Sequence, residues 1–230
     1  MTPVGSPQAI TQRIAEVQQE LPTSVMLIAV TKFFPAEVVR LAYGAGIRHF
    51  GESRVQEAIQ KQAELTDLTD ITWHLIGHLQ TNKVRKAVEH FQWIHSVDSL
   101  KVAQKIDQAA ADLQRTPQGC LQVKLMPDPA KYGFDRDSLD QALPALDQLT
   151  HLKIRGLMTI PPLNTSANTV DQLFADAATL ADQINHQGLS HIVLDQLSMG
   201  MSGDYKTAIA AGATMVRLGT RLFGMRSQVL

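Results

Sequence analysis

Val25-Met26-Leu27-Ile28-Ala29-Val30-Thr31-Lys32, followed after Phe33-Phe34 by Pro35-Ala36-Glu37-Val38-Val39-Arg40-Leu41-Ala42, is the stretch that decides the fold. The first run is apolar and rich in branched side chains, as in a strand buried on both faces of a parallel sheet. The second spaces its apolar residues as one helix face does and opens on a proline, which suits a first helical turn. A strand leading directly into a helix is one βα unit. No GxGxxG lies between the two, which ranks an open doubly wound sheet behind a barrel.

The same alternation continues along the chain. Strands are predicted at 25–32, 48–52, 72–79, 93–97, 120–126, 153–160, 192–198 and 214–218. Helices are predicted at 35–45, 54–64, 81–90, 99–114, 138–149, 168–186 and 204–211. Spread over the chain, this gives eight units of about 29 residues, the size of a minimal (β/α)8 TIM barrel. The expected architecture is therefore α/β, one barrel domain over residues 1–230, with an extra helix before it. That helix covers Ser6 to Glu20: Ser6 is placed to cap it, Pro7 to open it, and Ile10, Ile14 and Val17 form one stripe.

Composition removes several function classes. Of 230 residues, 44% are hydrophobic and 19% charged, with 21 basic against 22 acidic side chains and a net charge of −1. The apolar content excludes a disordered chain, and the balanced charge argues against a nucleic-acid partner. A single cysteine builds no disulfide framework and points to a reducing compartment. The longest apolar run, Val25 to Val30, falls far short of the ~20 residues of a membrane span. The first twenty residues lack the apolar core of a signal peptide, so a cytoplasmic location is expected.

Three features bear on chemistry. Lys32 ends the first strand on the face of Met26, Ile28 and Val30, which sets it at the C-terminal mouth if that face points inward. A lysine desolvated there forms Schiff bases readily; the plain alternative is a solvated strand-end lysine. Ser198-Met199-Gly200-Met201-Ser202-Gly203-Asp204 follows the seventh strand, and Arg217-Leu218-Gly219-Thr220 ends the eighth. Those two loops are the recurring phosphate site of barrels, although Ser202 alone reads as a cap and Gly219 alone as a turn. A Schiff-base lysine beside a phosphate cradle suits pyridoxal 5′-phosphate (PLP) or a phosphorylated sugar. Arg217 bears on the choice: facing a pyridine nitrogen, a guanidinium donates to the unprotonated ring and leaves a weaker electron sink than an aspartate would, the plain alternative being an arginine paired with a carboxylate.

Six segments together resemble one family: Ala29-Val30-Thr31-Lys32, Phe50-Gly51-Glu52-Ser53-Arg54-Val55-Gln56-Glu57, Trp73-His74-Leu75-Ile76-Gly77-His78-Leu79-Gln80-Thr81-Asn82-Lys83, Gly156-Leu157-Met158-Thr159-Ile160-Pro161, Leu197-Ser198-Met199-Gly200-Met201-Ser202, and Val216-Arg217-Leu218-Gly219-Thr220-Arg221-Leu222-Phe223-Gly224. They are similar, in this order, to the YggS/PROSC family of PLP homeostasis proteins. The resemblance implies a barrel like the N-terminal domain of alanine racemase, with PLP held as an internal aldimine on Lys32. It also implies phosphate contacts from Ser198, Gly219 and Thr220, a loop shaped by Gly200, and Arg217 at the pyridine nitrogen. Members are regarded as carriers or regulators in vitamin B6 and amino-acid homeostasis, without established turnover, passing PLP to acceptor enzymes. Position 53 departs from the family's usual Asn, so a direct contact from Ser53 to the cofactor is in question.

Binding without turnover has a chemical rationale. An alanine-racemase-like reaction needs two bases, and the second is a tyrosine from an added β-rich domain. The chain ends six residues after Gly224, which leaves no room for that domain and favours a monomer. Tyr43 is expected on a helix away from the mouth, whereas Tyr132 and Tyr205 fall in or beside mouth loops and are the residues that could supply the base. A PLP-dependent racemase is therefore the alternative, with a Schiff-base aldolase and a pure interaction protein behind it. His74 and His78, four apart on a strand, would lie ~13 Å from each other, too far to share a metal. His78 and Lys131 are mouth residues, each with a plain reading as a strand-end histidine and a solvated lysine. Cys120 is expected in the core.

Overall fold

The computed structural model describes residues 6–128 and 131–225. Helix α1 (Pro7–Glu20) begins as the sequence indicates: Ser6 Oγ accepts from the Ala9 amide at 3.3 Å, and Ile10, Ile14 and Val17 are buried. Then follow β1 (Met26–Val30), α2 (Ala36–Gly44), β2 (His49–Glu52), α3 (Val55–Glu64), β3 (Thr72–Leu75), α4 (Val84–His90), β4 (Trp93–Val97) and α5 (Leu100–Asp112). The second half runs β5 (Gln118–Gln122), α6 (Arg136–Leu146), β6 (Lys153–Met158), α7 (Ala167–Asn185), β7 (Gln196–Ser198), α8 (Tyr205–Ala210), β8 (Met215–Leu218) and α9 (Thr220–Phe223). All neighbouring strands are parallel, and β1 pairs with β8 from Met26↔Met215 to Ala29↔Leu218, closing an eight-stranded barrel. The chain is thus a TIM barrel preceded by one helix.

Alternation along each strand sorts the side chains. Ala29, Trp73, Leu75, Ile94, Leu121, Leu157, Val216 and Leu218 face outward into the layer between sheet and helices. Ile28, Trp93, Cys120, Met158 and Met215 fill the interior, with Met26 and Ile160 against them. The interior also holds polar groups: His74, His95, Ser198 and Arg217 are all buried.

Three strands depart from the sequence reading by four residues at one end, each for a local reason. Strand β7 is three residues long rather than spanning 192–198, because the Asn185 side chain takes over the ladder's bonds: its Oδ1 accepts from the Leu194 amide and its Nδ2 donates to the Leu194 carbonyl. Strand β3 stops at Leu75 rather than 79. A Cβ on Gly77 would sit 2.3 Å from the Ser53 carbonyl oxygen, so the chain passes against the β2 loop there. Strand β5 runs 118–122 rather than 120–126, because Lys124 turns to bond the Phe134 carbonyl.

One contact in the ring tolerates no side chain. A Cβ on Gly156 would lie 2.1 Å from the Gln196 carbonyl oxygen, a backbone atom of the neighbouring strand. Gly156→Ala must therefore push β6 and β7 apart, at a cost of about 2–3 kcal/mol in overpacking. Thermal denaturation should show a melting temperature lower by several degrees; an unchanged value would mean that the ring gives way freely at this seam.

Candidate functional site

Strand β1 ends in a turn fixed by a buried charge cluster. Lys61 Nζ on α3 donates to the Thr31 carbonyl at 2.8 Å, to Glu52 Oε1 at 2.7 Å and to Glu57 Oε1 at 2.9 Å. Thr31 Oγ1 also donates to Glu52 Oε1 at 2.7 Å, and the Phe33 amide donates to Glu57. Phe33 has φ 65°, a left-handed conformation that a β-carbon disfavours. Lys32 therefore sits between two residues whose backbones are held from behind. Burial pushes the Glu52 carboxyl upward in pKa, and the Lys61 ammonium opposes that shift.

Lys32 lines a cavity of ≈ 350 Å³ at the C-terminal mouth, a size suited to one small ligand. Arg217, Gly219 and Thr220 line it as well, with Ser202, Gly203, Ser53, Met201, Ile76 and Ile160. Arg217 is only 4% exposed. Its Nη1 donates to Ser198 Oγ at 2.6 Å and its Nη2 to the Thr159 carbonyl at 3.0 Å. Desolvation lowers its pKa to about 10. No carboxylate among the described residues forms an ion pair with it. The backbone N–H groups of Ser202, Gly203 and Thr220 make no hydrogen bond within the described residues. One buried cation, one lysine and a rim of open amides thus face the same space.

Four of the six residues singled out in sequence, Lys32, Arg217, Gly219 and Thr220, meet at this cavity. The other two lie elsewhere. Gly200 is buried at φ 91°, with Ala208 Cβ 2.6 Å from where its own Cβ would be, so it turns the loop without lining the cavity. Ser198 is one layer deeper: its hydroxyl is fully buried and bonded to Arg217 and to His95. Ser53 does line the cavity. Of the methionine pair, Met201 faces the cavity and Met199 is in the core. Gly203, from the loop quoted in the sequence, lines the cavity too, whereas Ile76 and Ile160 had no assigned role; they lie just beyond the ends of β3 and β6, and that position was the available signal.

The remaining candidates are engaged elsewhere. His78 Nδ1 contacts Asp98 Oδ2 at 2.8 Å, and its ring stacks on Tyr132 with centroids 3.6 Å apart. Both line a neighbouring cavity of ≈ 670 Å³. Lys131 is not a solvated loop lysine: it donates to the Ile160 and Pro161 carbonyls and pairs with Asp128, tying the loops after β5 and β6 together. Tyr43 donates to Asp70 at 2.5 Å and Tyr205 to Glu20 at 2.6 Å. Cys120 is fully buried inside the barrel, its thiol pushed up to about 12 by desolvation. Among the described residues no group of three or more side chains has a metal-binding arrangement, and no helix is long and apolar enough to cross a membrane.

The sequence profile described as the alanine racemase N-terminal domain matches residues 6–227. A "Pyridoxal phosphate homeostasis protein" of Synechocystis sp. is 53% identical over 212 residues, covering 92% of this chain and 96% of that one. Its counterpart in Pseudomonas aeruginosa is 43% identical, covering 94% and 93%. This chain belongs to the pyridoxal phosphate homeostasis protein family. Within that family, the solved structure of PipY from Synechococcus elongatus with PLP bound superposes with a TM-score of 0.90 at 55% identity, covering 94% of this chain and all of that one. Outside it, an alanine racemase of Clostridium difficile shares the barrel, with a TM-score of 0.77 at 17% identity, and this chain covers 61% of its length.

Proposed function

We propose that this member of the family binds PLP in the Lys32 cavity as a homeostasis protein, holding and releasing the cofactor rather than turning over a substrate. What carries the reading is the convergence of Lys32 and the buried Arg217 on one cavity rimmed by unbonded amides. When bound, PLP supplies an aldehyde and an electron-accepting ring. Lys32 Nζ is the primary amine at the cavity that would hold PLP through that aldehyde. The amides of Ser202, Gly203 and Thr220 are donors suited to the phosphate. Arg217 is a permanent donor and no acceptor, so it suits an unprotonated pyridine nitrogen. Its buried cationic charge, in no ion pair among the described residues, also favours an anionic ligand.

The racemase alternative lacks support at the second base. No tyrosine lines the cavity: Tyr43 and Tyr205 bond carboxylates on the helical layer, and Tyr132 stacks on His78 over the neighbouring cavity. A hydrogen-bonded Arg217 at the ring nitrogen also weakens the electron sink that racemisation uses. Action as a monomer that hands PLP to acceptor enzymes in a reducing compartment completes the proposal.

The test is the near-ultraviolet and visible absorption of purified wild type and Lys32→Ala, before and after borohydride. The expected result is a visible band in wild type that borohydride bleaches and the substitution removes, with the reduced adduct on Lys32 by peptide mass. A wild type that stays colourless after addition of PLP would sink the proposal. Turnover of an amino acid, lost on replacing Tyr132, would move the reading to the racemase.

A further inference from the structure

Below Arg217 the barrel interior holds a chain of polar groups that the proposed function does not use. His95 Nδ1 lies 2.8 Å from Ser198 Oγ, His95 Nε2 lies 2.9 Å from His74 Nδ1, and His74 Nε2 lies 3.1 Å from His49 Nδ1. The five residues come from five strands: Arg217 on β8, Ser198 on β7, His95 on β4, His74 on β3 and His49 on β2. Ser198 ends its strand and His49 begins its own, so the chain crosses the barrel from the mouth to the opposite end. His74, His95 and Ser198 are fully buried, and His49 is half-buried.

The proton positions follow from donor and acceptor counting. Arg217 only donates, so Ser198 Oγ accepts from it. The hydroxyl must then place its own proton, and the remaining partner of Ser198 Oγ is His95 Nδ1. Desolvation lowers the pKa of His95 to about 3, that of His74 well below the ordinary value, and that of His49 less far, so all three rings are neutral at pH 7. A neutral His95 that accepts at Nδ1 carries its proton on Nε2 and donates to His74 Nδ1. The same rule passes to His74, which donates from Nε2 to His49 Nδ1. Every link then points the same way, from Arg217 towards His49. In the opposite sense, Ser198 Oγ would receive two donors and its own proton would be left without an acceptor in a dry interior, which is costly.

We infer that His95, and His74 behind it, are positioning residues for Arg217: through Ser198, this one-directional relay fixes the guanidinium in the orientation in which it meets the cofactor ring. The relay holds the Ser198 lone pair towards Nη1 by committing the Ser198 proton to His95. With the Thr159 carbonyl on Nη2, it fixes the guanidinium plane and leaves the remaining N–H groups for the cavity. The consequence for PLP rests on the function proposed above, whereas the relay itself belongs to the protein alone.

The test therefore has two arms. In the full-length protein without PLP, two-bond ¹⁵N–¹H correlation spectra should show Nδ1 of His95, His74 and His49 unprotonated and Nε2 protonated at pH 7.5. A protonated Nδ1 on His95 overturns the inference whatever the protein binds. In PLP-loaded protein, His95→Leu should shift the visible absorption maximum and release PLP roughly tenfold faster, the scale of one buried hydrogen bond. His95→Gln, whose amide oxygen accepts from Ser198, should restore most of both. Ser198→Ala, a smaller change, should move both readouts as His95→Leu does and serves if the leucine variant does not fold. Folded variants with wild-type spectra and release rates overturn the positioning role. Wild type that takes up no PLP while the NMR arm succeeds would refute the function and leave the relay standing.

Discussion

Lys61→Met is expected to lower stability by about 3–5 kcal/mol, because it leaves a buried carboxylate without its counter-ion. Glu52 is fully buried, and its Oε1 carries the bonds from Lys61 and Thr31 while Oε2 has none. Burial already pushes the Glu52 pKa up, and Lys61 is the main opposing influence. Removing the ammonium also leaves Glu57 facing Glu52 with nothing between them. For a chain of this size the loss corresponds to a melting temperature about 10 °C lower. The double variant Lys61→Met/Glu52→Gln should recover much of it, since a neutral amide in the same place has no charge to desolvate. If Lys61→Met melts within 2 °C of wild type, Glu52 is either not buried or not charged, and the account fails. A second consequence concerns Lys32. Lys61 and Glu57 hold the Thr31 carbonyl and the Phe33 amide on either side of it, so the loosened turn should also retain PLP less well.

Acid should destabilise the protein as the pH falls through the ordinary histidine range. His74 and His95 are buried as neutral rings, with pKa values depressed by desolvation, that of His95 to about 3. Unfolding returns each ring to the ordinary value of about 6.5. Below that pH the unfolded chain binds protons that the folded one refuses, so stability is full above pH 6.5 and falls as the pH drops towards the folded-state values. The His95 ring then costs about 1.4 kcal/mol per pH unit, or about 2 kcal/mol between pH 6.5 and 5. His74 adds to the loss in the same direction, and the total stability of a domain is only about 5–15 kcal/mol. Urea denaturation at pH 7.5, 6.0 and 5.0 reads this directly. His95→Gln should flatten the slope by close to one proton even if its stability at pH 7.5 is lower. A variant slope equal to that of wild type would show that His95 is protonated in the folded state or exposed to water.

The stability of the site and its chemistry thus depend on two buried polar assemblies of different kinds. Around β1 the assembly is ionic and holds the lysine's turn from outside the ring. Along the barrel axis it is neutral and hydrogen-bonded, and it supports the arginine from below. Both leave the cavity face to groups with charge or hydrogen to donate, which is the arrangement an anionic cofactor with an aldehyde requires.

Much of this was legible in the sequence. Strand and helix periodicities differ, so eight alternations of the kind seen in Val25–Ala42 specify a barrel, and parallel strands put all their C-terminal ends at one mouth. That rule is why Lys32, Arg217, Gly219 and Thr220, each at or just beyond a strand end, converge on one cavity. Ser6, Ile10, Ile14 and Val17 were readable for a similar reason, since a cap and a helical stripe are set by residues within a few positions of one another. The tertiary structure alone decided the rest. Period two assigns a side chain to the inside of the barrel but does not say which strand it meets there. Ser198 and His95 are 103 residues apart, and Lys61 and the Thr31 carbonyl 30 apart; only closure of the ring and the seating of α3 bring them within bonding distance. In the sequence, Ser198 was a phosphate contact implied by resemblance, His74 was too far from His78 to share a metal, and neither Lys61 nor His95 was a feature at all. Their roles depend on how a buried polar group finds a partner, and in this fold the partners come from strands and helices distant in sequence.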